Sequence, residues 1–324
     1  MKIAFVGKGG SGKTTLSALF ARYLAHCGAP VVAIDADINQ HLGPALGASP
    51  AELAAVPALG GHIAEIKELL RGDNPRIASA EQMVKTTPPG RGSRLLDLSE
   101  HNPVHRRFGH LTGGVLLMLT GPFSEDDLGV ACYHSKVGAV EMYLNHLVDG
   151  PGEYVVVDMT AGADSFASGM FTRFDVTFLV AEPTLRGVGV YRQYAEYARD
   201  HDVTVRVVGN KVHGPEDVEF LRQHVGDALS VCLTHSEFVR AMEKGRYPDF
   251  GTLEEDNLKA LAWMRDLVDA TEKDWARFTR QNVEFHLRNA ARWANAATGV
   301  DLAAQVDPEF TMGPRALEAA RRAG

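Results

Sequence analysis

The sequence predicts an α/β protein built on a doubly wound, mainly parallel sheet. Three observations carry that prediction. Apolar, β-branched runs recur along the chain, amphipathic stretches of helical period separate them, and the first run leads straight into a glycine-rich loop, GKGGSGKTT. Runs that are apolar on both faces and alternate with helices belong to βαβ units. A parallel pair needs a crossover, and the crossover helices cover both faces of the sheet.

The expected strands occupy residues 2–6, 31–35, 115–121, 154–159, 176–182, 205–211 and 229–234. Amphipathic helices are expected over 14–26, 136–148, 188–200 and 216–225. Residues 48–114 differ in being rich in Gly, Pro and charge, and read as an insertion of short helices and loops. After Gly251 the strand pattern stops, and Leu258, Leu261, Met264 and Val268 continue one helical face. Trp275, Phe278, Phe285 and Trp293 mark a further helical stretch, read as packing on the core, and residues 300–324 read as irregular. The resulting division is a phosphate-loop domain over 1–272, which carries the insertion, and a helical C-terminal appendage over 273–324.

Composition narrows the functions. The 324 residues are 45% apolar, enough for a sizeable core. A net charge of −8 argues against broad electrostatic binding to nucleic acid or an anionic membrane. No apolar run approaches the ~18 residues of a membrane span. The cysteines Cys27, Cys132 and Cys232 are too dispersed for a disulfide framework and suit a reducing cytosol, so a cytoplasmic protein is expected. Cys27 and Cys232 read as packing residues, and His101, His105 and His110 as part of a solvated loop or client surface.

The loop fits G-x-x-x-x-G-K-[ST]. Gly7, Gly9, Gly10 and Gly12 let backbone N–H groups close on phosphate oxygens, with Ser11 and Thr15 completing the cradle. Thr14 opens a helix whose dipole favours an anion. Lys13 is expected at the β/γ-phosphates of ATP or ADP and the Thr14 hydroxyl on Mg²⁺. Asp35 and Asp37 end the second strand, where carboxylates suit water or Mg²⁺ work. Asp37 is the candidate to orient an attacking water, and Asp35 supports it or caps the strand. Asp158 ends a later apolar strand, with Gly162 four residues on; Asp158 is expected to meet Mg²⁺ and the Gly162 N–H to sense the γ-phosphate. Asn210, followed by Lys211, ends another strand, and its amide pairs well with a purine edge. Lys8 lies at the tip of the loop, too far from the pocket floor to duplicate Lys13.

KGGSGKT resembles the deviant Walker A motif of an ATPase family. That family includes septum-site and plasmid-partition ATPases, the nitrogenase iron protein, the arsenite and tail-anchored-protein ATPases, and the nickel-insertion ATPase of carbon monoxide dehydrogenase. The layout is most similar to the last. The resemblance implies an ATP-dependent homodimer in which Lys8 crosses to the partner's nucleotide. It also implies that Asp37 is the switch I aspartate, that residues 158–162 are switch II and that Asn210 contacts adenine. Residues 129–132 are similar to the cluster-binding stretch of the iron protein, and the nickel-insertion ATPase carries C-x-C there. This chain has Val130 in place of the first cysteine of that pair and Ser165 near the iron protein's second cluster cysteine. Cys132 and His134 therefore read either as packing and helix-start residues or as half of a two-fold Cys₂His₂ site for Zn²⁺ or Ni²⁺. The client protein stays open. Metal-cofactor maturation, an ATP-gated electron donor, a partition or positioning ATPase and a protein-only regulatory switch are the competing roles.

Overall fold

The computed structural model describes residues 1–122, 133–160, 166 and 169–323, with backbone alone at 133–135 and 323. Cys132, Gly162 and Ser165 lie outside the described residues, as does the side chain of His134. The chain begins β1 (Lys2–Gly7), α1 (Lys13–His26) and β2 (Val31–Ala36). Short helices α2 (Leu42–Leu46), α3 (Pro50–Ala55), α4 (Ile63–Arg71) and α5 (Pro103–Phe108) follow. Next come β3 (His110–Thr112), β4 (Val115–Leu119), α6 (Tyr133–His146), β5 (Tyr154–Met159) and β6 (Val176–Ala181). The alternation resumes with α7 (Leu185–Arg199), β7 (Val205–Val212), α8 (Pro215–Val225) and β8 (Leu229–Thr234). Five helices close the chain: α9 (Glu237–Glu243), α10 (Glu255–Asp269), α11 (Trp275–Asn289), α12 (Asn295–Thr298) and α13 (Pro314–Ala323).

The eight strands form one sheet in the order β3-β4-β2-β5-β1-β6-β7-β8. All neighbours are parallel except β3 and β4. Every residue of β1, β2, β5 and β6 is buried, as a sheet covered on both faces requires. Successive side chains of β1 feed opposite layers. Ala4 and Val6 join Ile34, Tyr143 and Val207 on one face, whereas Ile3 and Phe5 join Phe20, Phe178 and Met264 on the other. The rings of Phe5, Phe20 and Phe178 stack at 5.5–6.0 Å between centroids.

The expected strands are present with shifts of one or two residues at their ends, and β3 is an addition. Its register pairs Thr112 with Val115 across Gly113 and Gly114, both at positive φ. That is a two-residue hairpin, and glycine supplies the left-handed backbone such a turn needs. The expectation of an irregular 300–324 is corrected: α13 fills the last part, since Pro314 suits a first helical position and Ala, Leu, Glu and Arg favour the helix after it. Cys27 is exposed at the C-terminal end of α1 rather than packed, while Cys232 is half-buried against the core. His105 is not solvated. It faces inward from α5, bonds the Tyr143 hydroxyl at 2.8 Å, and burial presses its pKa down to about 4.

The C-terminal helices are tied to the core. Phe278 packs with Val148 and Met312, and Ala290, Ala294 and Leu302 pack on Val84 of the 48–114 segment. A buried charge cluster adds to this. Lys273 bridges Asp149 and Asp175, both at 2.7 Å, and Lys2 lies 3.4 Å from Asp149 with its ammonium over the Phe278 ring. Trp293, in contrast, is exposed.

Candidate functional site

β1 is central in the sheet, between β5 and β6, so the loop that leaves its C-terminal end opens onto the crevice where ligands of open α/β sheets bind. The loop is built for close backbone approach. Gly10 and Gly12 have φ of 84° and 90°, a region that disfavours other residues. A Cβ on Gly12 would run into the Asn210 amide. Helix α1 starts at Lys13 with no side-chain cap, which leaves its first-turn N–H groups and its dipole facing the loop. The buried Ser11 hydroxyl has no hydrogen-bond partner among the described residues. These features suit a phosphate group, whose oxygens accept what the loop offers.

Four predicted residues converge beneath the loop. Lys13 Nζ lies 2.6 Å from Asp158 Oδ1 and 3.1 Å from Asp37 Oδ2. The Thr14 hydroxyl donates to Asp158 Oδ2 at 2.6 Å. Parallel pairing explains the meeting of carboxylates: β2 and β5 are neighbours in register, with Asp35 beside Asp158. Burial would press the Lys13 pKa down, but Asp158 and Asp37 outweigh it and hold the ammonium above its ordinary value. Burial raises the Asp158 carboxyl above the usual range against the pull of Lys13. Asp35 is pushed up to about 8, first by burial and then by Asp158. It accepts from the backbone N–H of Leu42 at 2.8 Å and of Asp37 at 3.2 Å, and so braces the turn that carries Asp37.

The base-side residues also come together. Asn210 Nδ2 donates to the Ser11 carbonyl at 2.8 Å, and Lys211 Nζ to the Gly10 carbonyl at 2.7 Å. Both line a cavity of about 330 Å³ with Gly12, Thr15, Ser236 and Asn257, between the loop, the end of β7 and the β8–α9 turn. Gly7 backs the loop against Val180, where a Cβ would meet the Val180 carbonyl at 2.7 Å. Gly9 and Gly10 are exposed. Lys8 is half-exposed, and its ammonium pairs with nothing among the described residues. No group of three or more His, Cys, Asp or Glu that could hold a metal occurs among the described residues.

Three supporting residues escaped the sequence reading. Ser17 donates to Asp158 Oδ1 at 3.2 Å; it lies one helical turn after Lys13, a spacing that put it on the same face. Gln40, at φ 51°, spans from the Asp37 carbonyl to the Gly121 N–H. Glu182 pairs with Lys211 at 2.5 Å. The Gln40–Gly121 and Glu182–Lys211 contacts join distant segments and have no local signature.

A central parallel strand, a glycine loop with an uncapped helix start, and Lys and Thr on strand-end carboxylates define a phosphate-loop nucleotide-binding protein. The chain belongs to the CobQ/CobB/MinD/ParA nucleotide-binding domain family, whose family model matches residues 3–245. It is 30% identical over 222 residues to the carbon monoxide dehydrogenase accessory protein CooC of Rhodospirillum rubrum, covering 68% of this chain and 78% of that one. It is 28% identical over 232 residues to an uncharacterized ATP-binding protein of Methanocaldococcus jannaschii, covering 71% and 82%. Among solved structures, the MinC:MinD cell division complex of Aquifex aeolicus matches with a TM-score of 0.53 at 18% identity, covering 84% of this chain and 97% of that one. An ATP complex of a McdA variant from Cyanothece matches with a TM-score of 0.54 at 15% identity, covering 85% and 98%. These two likenesses are of fold. No helix among the described residues is long and apolar enough to cross a membrane.

Proposed function

We propose that the protein is a Mg²⁺-dependent ATPase that acts as an ATP-gated homodimeric switch in the maturation of a metal-containing client, in the cytoplasm. The observation that carries the ATPase reading is the convergence of Lys13, Thr14, Asp37 and Asp158 beneath an uncapped helix N-terminus. The oxygen donors suit a hard cation: Thr14, Asp37 and Asp158 would hold Mg²⁺, which neutralises phosphate charge when bound. Lys13 supplies a permanent positive charge to the β/γ-phosphates. Asp37 takes a water proton or orients the water, held by the N–H of Asn39 at 3.0 Å and braced through Asp35. Asn210 and the 330 Å³ cavity receive the base, and the Gly162 N–H reports the γ-phosphate. Lys8, unpaired among the described residues of its own protomer, reaches the partner's phosphates and adds charge where it develops in the transition state.

The client reading rests on the 30% identity to the carbon monoxide dehydrogenase accessory protein, which favours metal-cofactor maturation over electron donation or positioning. In this reading the metal is cargo, and Cys132 with His134, doubled by two-fold symmetry, is the candidate Zn²⁺ or Ni²⁺ carrier. The test of the switch is Lys8→Ala. ATP binding by equilibrium dialysis should persist, while ATP-driven dimerisation in sedimentation and turnover are lost. A variant that dimerises and hydrolyses ATP like the parent removes the trans-acting role of Lys8.

A further inference from the structure

We propose that a cationic, aromatic groove between the 48–114 segment and the C-terminal helices docks an acidic segment of a partner protein. The groove encloses about 340 Å³ and is lined by Lys85, Phe166, Phe285, Arg288, Arg292 and Trp293. Its lining shares no residue with the cavity beside Asn210, and its C-terminal wall falls outside the family match over 3–245.

The cations are available. Lys85 and Arg292 form no ion pair among the described residues. Among the described residues Arg288 forms one ion pair, with Glu284 one turn earlier on α11 at 2.5 Å, with both side chains exposed, and its guanidinium lies over the Phe285 ring. Such surface pairs hold weakly, and a partner carboxylate can take the place of Glu284. Three cationic side chains, one of them paired with Glu284, thus line one groove on a chain whose net charge is −8. That contrast selects acidic ligands by charge complementarity.

The groove is also built in advance. Asn289 donates to the buried Thr86 hydroxyl at 3.2 Å, which fixes α11 to the residue next to Lys85. The same Asn289 accepts from Trp293 Nε1 at 3.4 Å, which holds the indole over the groove with 48% of its surface exposed. Arg292 and Trp293 sit on a π-helical turn, residues 290–294, a widened turn that recurs at functional sites. Arg and Trp are the side chains that most often anchor protein interfaces. On the inner side, Phe285 packs on Phe171 at 5.6 Å and Phe171 on Phe166 at 5.0 Å, so the apolar floor is continuous with the core. A nucleic acid strand would need a cationic track extending beyond one groove, and Glu284 and the acidic balance oppose it.

The probe is a fluorescein-labelled hexaglutamate peptide, titrated with the full chain and read by fluorescence anisotropy. Hexalysine and a labelled oligothymidylate are the controls. Hexaglutamate should bind, and Lys85→Glu with Arg292→Glu should weaken it by about tenfold or more, with ATP binding unchanged. Trp293→Ala, which alters no charge, should weaken it too. The proposal fails if hexaglutamate does not bind, if hexalysine binds equally, or if the charge reversal leaves the affinity as it was. It also fails if the oligothymidylate binds more tightly and is lost by the same reversal, for the groove would then be a nucleic-acid site.

Discussion

Lys13→Met should cost the fold as well as the nucleotide. In the structure Lys13 is the cation facing Asp158, which is fully buried, and Asp37, and the nearby Asp35 is fully buried as well. Methionine keeps the unbranched side chain, one atom shorter, and removes the charge. Asp158 is then a buried carboxylate without a counter-ion, and losing one partner of such a pair costs about 3–5 kcal/mol. The carboxyl escapes by taking up a proton. From an ordinary value of 3.8, protonation at pH 7 costs about 4 kcal/mol, which caps the loss. In the variant the folded carboxyl is protonated while the unfolded one is ionised above 3.8, so the folded state binds more protons and its stability falls as pH rises. The gap to the parent should therefore narrow between pH 7 and pH 5.5. Urea unfolding followed by circular dichroism at both pH values measures it. Adding Asp158→Asn should recover most of the stability without restoring ATP binding, which separates the fold's need for the pair from the ligand's. A single variant as stable as the parent at pH 7, or a gap that does not narrow on acidification, would refute the argument.

Two further outcomes follow from other residues. Burial holds Lys2 down to about 7, so between pH 7 and 10.5 the unfolded chain binds more protons and stability climbs with pH. The parent should gain about 2 kcal/mol over Lys2→Met between pH 7 and 9 in urea melts, and parallel curves for the two would contradict this. Elemental mass spectrometry of untagged protein, with and without ATP, tests the cargo reading: about half a zinc or nickel per protomer is expected, lost in Cys132→Ala. A metal content of zero in every sample would return Cys132 to a packing role.

Much of the nucleotide site was legible because its parts are local. A strand, a glycine loop and a helix in immediate succession can hardly fold otherwise, so Gly7 to Thr15 could be read before any tertiary contact was known. The parallel sheet was legible for a related reason: strands buried on both faces are continuously apolar, and Asp35, Asp158 and Asn210 mark the ends of three of them. The three-residue β3 was too short for periodicity to register, although the Gly113-Gly114 turn that forms it was visible. α13 was obscured by Gly299, Pro308 and Gly313, which punctuate the residues before it.

The sequence by itself determined the class of ligand and the order of the elements, because hydrophobic period and loop chemistry are properties of contiguous residues. Only the tertiary structure decided that Asp35 and Asp158 stand side by side on paired strands, that Asn210 anchors the Ser11 carbonyl, and that Lys85 and Arg292 share one groove. Those pairings join residues up to about two hundred positions apart. They follow from strand order and helix packing, which no local pattern encodes.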